Sequence, residues 1–210
     1  MIGRAFTKLY KAYGDQHWWH ADSTFEIMVG AILVQNTSWS NVELAIKQLK
    51  QHSALTPSAI VTTSDEQLAE WIRSSGFFNV KTQRLKNFTQ WYLDQGGFAA
   101  LDPLDTPDLR EMLLLVKGIG KETADDILLY AFERSVFVID AYTRRFFYRL
   151  GLINGDEPYD ELQHLIELSL DRDVGLFNEY HALIVRHGKE RCRKEPLCDG
   201  CPLDAICVNN

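Results

Sequence analysis

Cysteine is missing from almost the whole chain: all four, Cys192, Cys198, Cys201 and Cys207, fall within the last nineteen of 210 residues. Long apolar runs are missing too. None approaches the roughly 20 residues of a membrane span, and Met1-Ile2-Gly3-Arg4-Ala5 has no apolar signal core. The expectation is an intracellular, cytoplasmic protein with no membrane partner. Basic charge is in deficit, with 22 Lys and Arg against 29 Asp and Glu and a formal charge of −7. That argues mildly against a nucleic-acid partner, although only a footprint has to be basic. There is no repeat, low-complexity tract or long linker. What is present is a soluble globular composition, 46% hydrophobic and 24% charged, in a chain long enough for one core or two small ones.

The patterning is helical nearly throughout and predicts an all-α protein. Arg4 to Tyr13 is amphipathic and stops at Gly14. The cluster His17-Trp18-Trp19-His20 follows, then Ser23-Thr24-Phe25-Glu26, a capping box opening a helix to about Gln35. That helix is apolar all round, which marks it for the core. A second box, Ser40-Asn41-Val42-Glu43, predicts a helix to about Gln51, and Ser64-Asp65-Glu66-Gln67 predicts another before Gly76. Phe77-Phe78-Asn79 reads as a loop and 81–93 as a helix broken at Gly96-Gly97. Val136 to Ile139 reads as an extended loop strand leading to Asp140, and three further helical patterns cover 141–150, 160–170 and 176–187.

Two motifs carry chemistry. In Val116-Lys117-Gly118-Ile119-Gly120-Lys121-Glu122, two glycines turn the chain between short helices. Backbone N–H groups at such a turn can hold a phosphate, as an ordinary helical connection need not. The cysteines, at C-x5-C-x2-C-x5-C, form a closed set for a tetrahedral zinc or an iron–sulfur cluster. Disulfides are improbable in a reducing compartment. A basic segment, Arg186, Lys189, Arg191, Arg193 and Lys194, runs into the cysteine loop.

Four features then stand in one order: Gln35-Asn36-Thr37 after the apolar helix, Gly76-Phe77-Phe78-Asn79-Val80-Lys81, the Gly-x-Gly hairpin followed by Asp140, and the cysteine loop. Together they resemble the helix–hairpin–helix DNA glycosylases of the endonuclease III type. Trp18-Trp19 and Tyr159-Asp160-Glu161-Leu162-Gln163-His164 bring the chain nearest the 3-methyladenine DNA glycosylase III branch. The resemblance implies a two-lobed all-α fold, a six-helix lobe of about 22–131 and a cluster lobe of 1–21 plus 132–210, with damaged double-stranded DNA bound across the cleft. A monomer is expected, carrying a [4Fe–4S] cluster on the four cysteines, with zinc as the alternative.

The resemblance also implies roles. Asp140 becomes the catalytic carboxylate, which its second reading as a helix N-cap does not oppose. Gln35 would plug the gap left by an everted base and Phe77 would wedge the duplex, while Lys117, Gly118, Gly120 and Lys121 would contact phosphate. Lyases of the family carry a lysine two residues after the second glycine; here that position is Glu122, which cannot form an imine. The expected activity is therefore base release without strand cutting. Trp18, Trp19, Trp39 and Glu122 are the expected pocket for a cationic alkylpurine, since π faces and negative charge favour a cation. Core packing is the competing reading for the tryptophans. An oxidised-pyrimidine glycosylase with lyase activity and a non-catalytic DNA-binding module are the competing functions.

Overall fold

A computed structural model describes residues 1–208. In chain order the helices are α1 (Ile2–Tyr13), α2 (Thr24–Leu33), α3 (Trp39–Gln51), α4 (Pro57–Thr62), α5 (Asp65–Trp71), α6 (Phe78–Asp94), α7 (Phe98–Leu101), α8 (Thr106–Leu114), α9 (Lys121–Asp126), α10 (Ala141–Arg149), α11 (Tyr159–Leu168) and α12 (Val174–Glu190). Among the described residues there is no strand. The chain divides into two compact units, Ala21–Phe132 and Met1–His20 with Glu133–Asn210.

In the first unit α2 is the core. Met28, Val29, Ala31, Ile32 and Leu33 are all fully buried, each of the larger side chains contributing about 1.5–3 kcal/mol. Around α2 pack α3, α6, α9 and the segment after α9. The box at Ser23 forms: Ser23 Oγ accepts from the Glu26 N–H at 3.2 Å, and Glu26 accepts from the Asp22 N–H at 3.0 Å. Ser64 likewise accepts from the Gln67 N–H at 3.3 Å. The box expected at Ser40 does not form. Helix α3 starts at Trp39 with Ser38 as its cap residue, so Ser40 already lies within the first turn.

One other expectation changes. Phe77 alone is non-helical in the supposed loop, with φ 46°, and Phe78 and Asn79 begin α6. After Asp126 the helix widens into a π turn over Ile127–Ala131, all five residues buried, and the Phe132 N–H reaches back to the Ile127 carbonyl at 3.2 Å.

In the second unit α12 packs against α1 and α10. Tyr180 is fully buried, donates to the Ile2 carbonyl at 2.9 Å, and meets Phe137, Phe146 and Phe147 edge-on. Gly188 admits the Tyr142 ring so closely that a Cβ there would collide with it. Val136 to Ile139 forms no strand. Side chains of α11 supply what a partner strand would. Glu167 accepts from the Phe137 N–H at 2.9 Å, Gln163 donates to the Phe137 carbonyl at 2.7 Å, and Tyr159 accepts from the Ile139 N–H at 3.3 Å. These bonds satisfy a buried backbone and deliver the chain, held in place, to Asp140.

Candidate functional site

In Ala21–Phe132 the hairpin sits between α8 and α9. A bidentate pair ties the two helices, Arg110 to Asp125 at 2.6 and 3.0 Å, with Asp125 fully buried. The two glycines have different reasons. Gly118 has φ +102° and lies under the methylene stem of Arg84, which an added Cβ would strike, whereas Gly120 has φ −99° and open space around it. Asn87 on α6 donates to the Lys117 carbonyl at 3.3 Å. Lys117, Lys121 and Glu122 are exposed, the last two on the first turn of α9.

Gln35, just past α2, is bound to this hairpin. Its Nε2 donates to the Gly118 carbonyl at 3.2 Å and to Thr123 Oγ1 at 2.8 Å, while its Oε1 accepts from Arg84. Phe77 stands 68% exposed at the start of α6, with Val80 one turn on 50% exposed. Between these two places lies Lys81, buried, with its ammonium on the carbonyls of Leu33 at 2.8 Å and Ser75 at 2.5 Å. Burial pushes its pKa down to about 8. Trp39, the first residue of α3, is half-buried.

In the other unit Asp140 caps α10, its Oδ1 accepting from the Thr143 N–H at 2.7 Å. Its Oδ2 lies 3.8 Å from Nε2 of His181, which α12 contributes, and its side chain is 15% exposed. Burial pushes the Asp140 carboxyl up, but the nearby His181 imidazole and the bonds from Thr143 outweigh it and hold the group below the usual carboxylate range. The result is a carboxylate that stays ionised with little water around it.

Helix α12 also holds the tryptophan segment. Glu179 accepts from the Gln16 N–H at 3.0 and 3.2 Å, and Arg186 reaches the Tyr13 carbonyl at 3.2 Å. Trp18 and Trp19 are half-buried and lie edge to face, 5.8 Å between centroids. The Lys189 ammonium sits 5.9 Å over the Trp18 ring, so part of that ring's attraction for cations is already used by the chain.

All four cysteines line one cavity, with Phe146, Leu150 and Leu203 among its apolar walls. Their chemistry and surroundings fit a thiolate-held cluster. Arg149 Nη1 donates to Cys192 Sγ at 3.3 Å and the Leu203 N–H to Cys201 Sγ at 3.5 Å, the kind of donor that stabilises ligating sulfur. His187 is 3.9 Å from Cys201 Sγ through Nε2, and its Nδ1 pairs with the Tyr13 hydroxyl at 2.8 Å. Burial pushes His187 down to about 4, and burial with the Glu190 charge pushes Tyr13 up to about 12. A neutral imidazole taking the Tyr13 proton bond at Nδ1 presents Nε2–H to the sulfur. Among the described residues, however, no three His, Cys, Asp or Glu side chains are already disposed as ligands of a single metal ion.

Residues 29–171 match the family described as the HhH-GPD superfamily base excision DNA repair protein. The chain belongs to this superfamily. A protein of Methanocaldococcus jannaschii, provisionally named a DNA repair glycosylase, is 47% identical over all of this chain and 96% of its own. A crystal structure of the H. pylori 3-methyladenine DNA glycosylase MagIII bound to 1,N6-ethenoadenine superposes with a TM-score of 0.77 at 32% identity, covering 90% of this chain and 96% of that one. An endonuclease III–DNA complex, at 22% identity, has a TM-score of 0.85 over 99% of this chain and 94% of its own, and carries the HhH-GPD fold alone.

Arg84 and His181 are not legible in the sequence of this HhH-GPD protein. Each meets its partner only after folding.

Proposed function

We propose that the chain is a monofunctional DNA glycosylase that hydrolyses the N-glycosidic bond of an alkylated, 3-methyladenine-like purine everted from duplex DNA. The observation that carries the reading is Glu122, a carboxylate exposed on the first turn of α9. It cannot attack a sugar as an amine does, and it offers negative charge to a cationic base. The MagIII likeness supports the same substrate class.

In this reaction Asp140 acts as a fixed anion. As the bond between C1′ and the purine nitrogen breaks, its electron pair leaves with the base and neutralises the cationic purine. Positive charge grows on the deoxyribose, where the Asp140 carboxylate stabilises it. Water adds to C1′ and releases a proton to solvent, leaving an abasic site. A cationic leaving group needs no protonation, so shape and electrostatics can suffice. Trp18, Trp19 and Trp39 would provide π surface for the base. Gln35 would fill the vacated stack, Phe77 would part the duplex, and Lys117, Gly118, Gly120 and Lys121 would hold phosphate.

Cys192, Cys198, Cys201 and Cys207 would hold a [4Fe–4S] cluster. When bound, such a cluster cross-links a loop too short to have a core of its own.

The test is chromatography of bases released from methylated duplex DNA. Free 3-methyladenine from the wild type, and its loss in Asp140→Asn, are expected. Release only of oxidised pyrimidines would replace this reading with the endonuclease III-type one. Tight binding with no release of either class would leave a DNA-binding module.

A further inference from the structure

One face of α6 reaches every loop to which the proposed function gives a part in opening DNA, within Ala21–Phe132. Its first residue follows Phe77. Lys81 fastens the end of α2 to the turn before Gly76 through the Leu33 and Ser75 carbonyls. One turn on, Arg84 donates to Gln35 Oε1 while its stem covers Gly118. A further turn on, Asn87 holds the Lys117 carbonyl. Residues three apart on a helix share a face, so these three side chains form one ladder.

The Gln35 amide is the centre of the arrangement. Both of its donor directions are engaged, toward Gly118 and Thr123, and its oxygen takes a charged donor. Bonds to charged groups are the stronger ones, so Arg84 fixes which way the amide faces. Without it the oxygen and nitrogen could exchange places and the link to the hairpin would be lost.

We infer that Arg84 is a positioning residue: it locks Gln35 and the Gly118 turn into one unit, so that the phosphate-binding hairpin and the residue filling the stack move together during base eversion. This rests on the proposed role of Gln35. A guanidinium aimed at DNA phosphate would act differently, through charge alone, and the two can be separated.

The experiment is a double-substitution cycle on the full-length protein, with Arg84→Met, Gln35→Ala and the double variant. The readouts are 2-aminopurine fluorescence of a duplex, which reports eversion, and affinity for a duplex carrying a tetrahydrofuran abasic analogue. Arg84→Met and Gln35→Ala are each expected to lower eversion about tenfold, and the double variant no further than either alone. Arg84→Lys, which keeps the charge but not the fork, is expected to resemble Arg84→Met. Melting temperatures of the four variants control for unfolding. Additive losses, or full rescue by Arg84→Lys, would overturn the inference while leaving the Gln35 role intact. No effect of Gln35→Ala would remove that role and this inference with it.

Discussion

Asp140 accepts the Thr143 N–H at 2.7 Å, and asparagine in its place would keep that cap while losing the charge. Asn and Asp cap helices about equally well. Asp140→Asn should therefore melt within a degree or two of wild type, yet release base roughly 10²–10⁴-fold more slowly, the scale of a lost acid–base or electrostatic group. A parallel fall in both would make Asp140 a cap and nothing more. His181 permits a sharper test. It holds the Asp140 carboxyl below its ordinary range, so the stability this brings is present at neutral pH and lost as pH falls through the lowered value. Removing the imidazole, as in His181→Leu, leaves burial to push the carboxyl up. The acid limb of the pH–rate profile should then move to higher pH; an unmoved limb would mean that His181 does not act on Asp140. Asp140 could be read in sequence because it precedes a helix at a fixed distance from the hairpin. His181 could not, because only the packing of α10 against α12 brings the two together.

At the scale of elements, the hairpin makes a prediction that its sequence symmetry hides. Gly118 has a positive φ and a neighbour in the way, while Gly120 has neither. Gly118→Ala should destabilise by about 1–3 kcal/mol in denaturant unfolding, and Gly120→Ala should stay within about 1 kcal/mol of wild type. Equal effects would contradict the packing described for Arg84. The segment before Trp18 makes another. Burial, with Asp15 alongside, raises Glu179 to about 7. The stability this lends is present below the ordinary Glu range and lost as pH rises through about 7. Tryptophan fluorescence should titrate near neutrality and cease to do so in Glu179→Gln. Helix starts marked by Ser23 and Ser64 were legible because a cap is a local bond. The cap of α3 lies two residues before Ser40, at Ser38, whose hydroxyl pairs with that of Ser40 and bonds no helix N–H. The unpaired course of Val136 to Ile139 depends on distant partners, Gln163 and Glu167, that no local pattern announces.

For the whole molecule, the all-α fold follows from helical periodicity and from an apolar α2 that only a core can hold. Spacing marks the four cysteines as a candidate ligand set, and their side chains line one cavity. The loop's donor Arg149 lies on α10, 43 residues before Cys192, while His187 lies in the last turn of α12, which runs directly into the loop. Cys198→Ser should lose iron by elemental analysis, lose visible charge-transfer absorbance and unfold more readily. One zinc per chain in the wild type would contradict the cluster.

Glu122 leads to base release without strand cutting. A duplex with a single 3-methyladenine-type lesion, end-labelled and incubated with the protein, should remain intact on a denaturing gel, break at the lesion only after alkali, and yield no covalent adduct with borohydride. A break without alkali, or an adduct trapped on Lys121, would show an amine attacking the sugar and contradict the role assigned to Glu122.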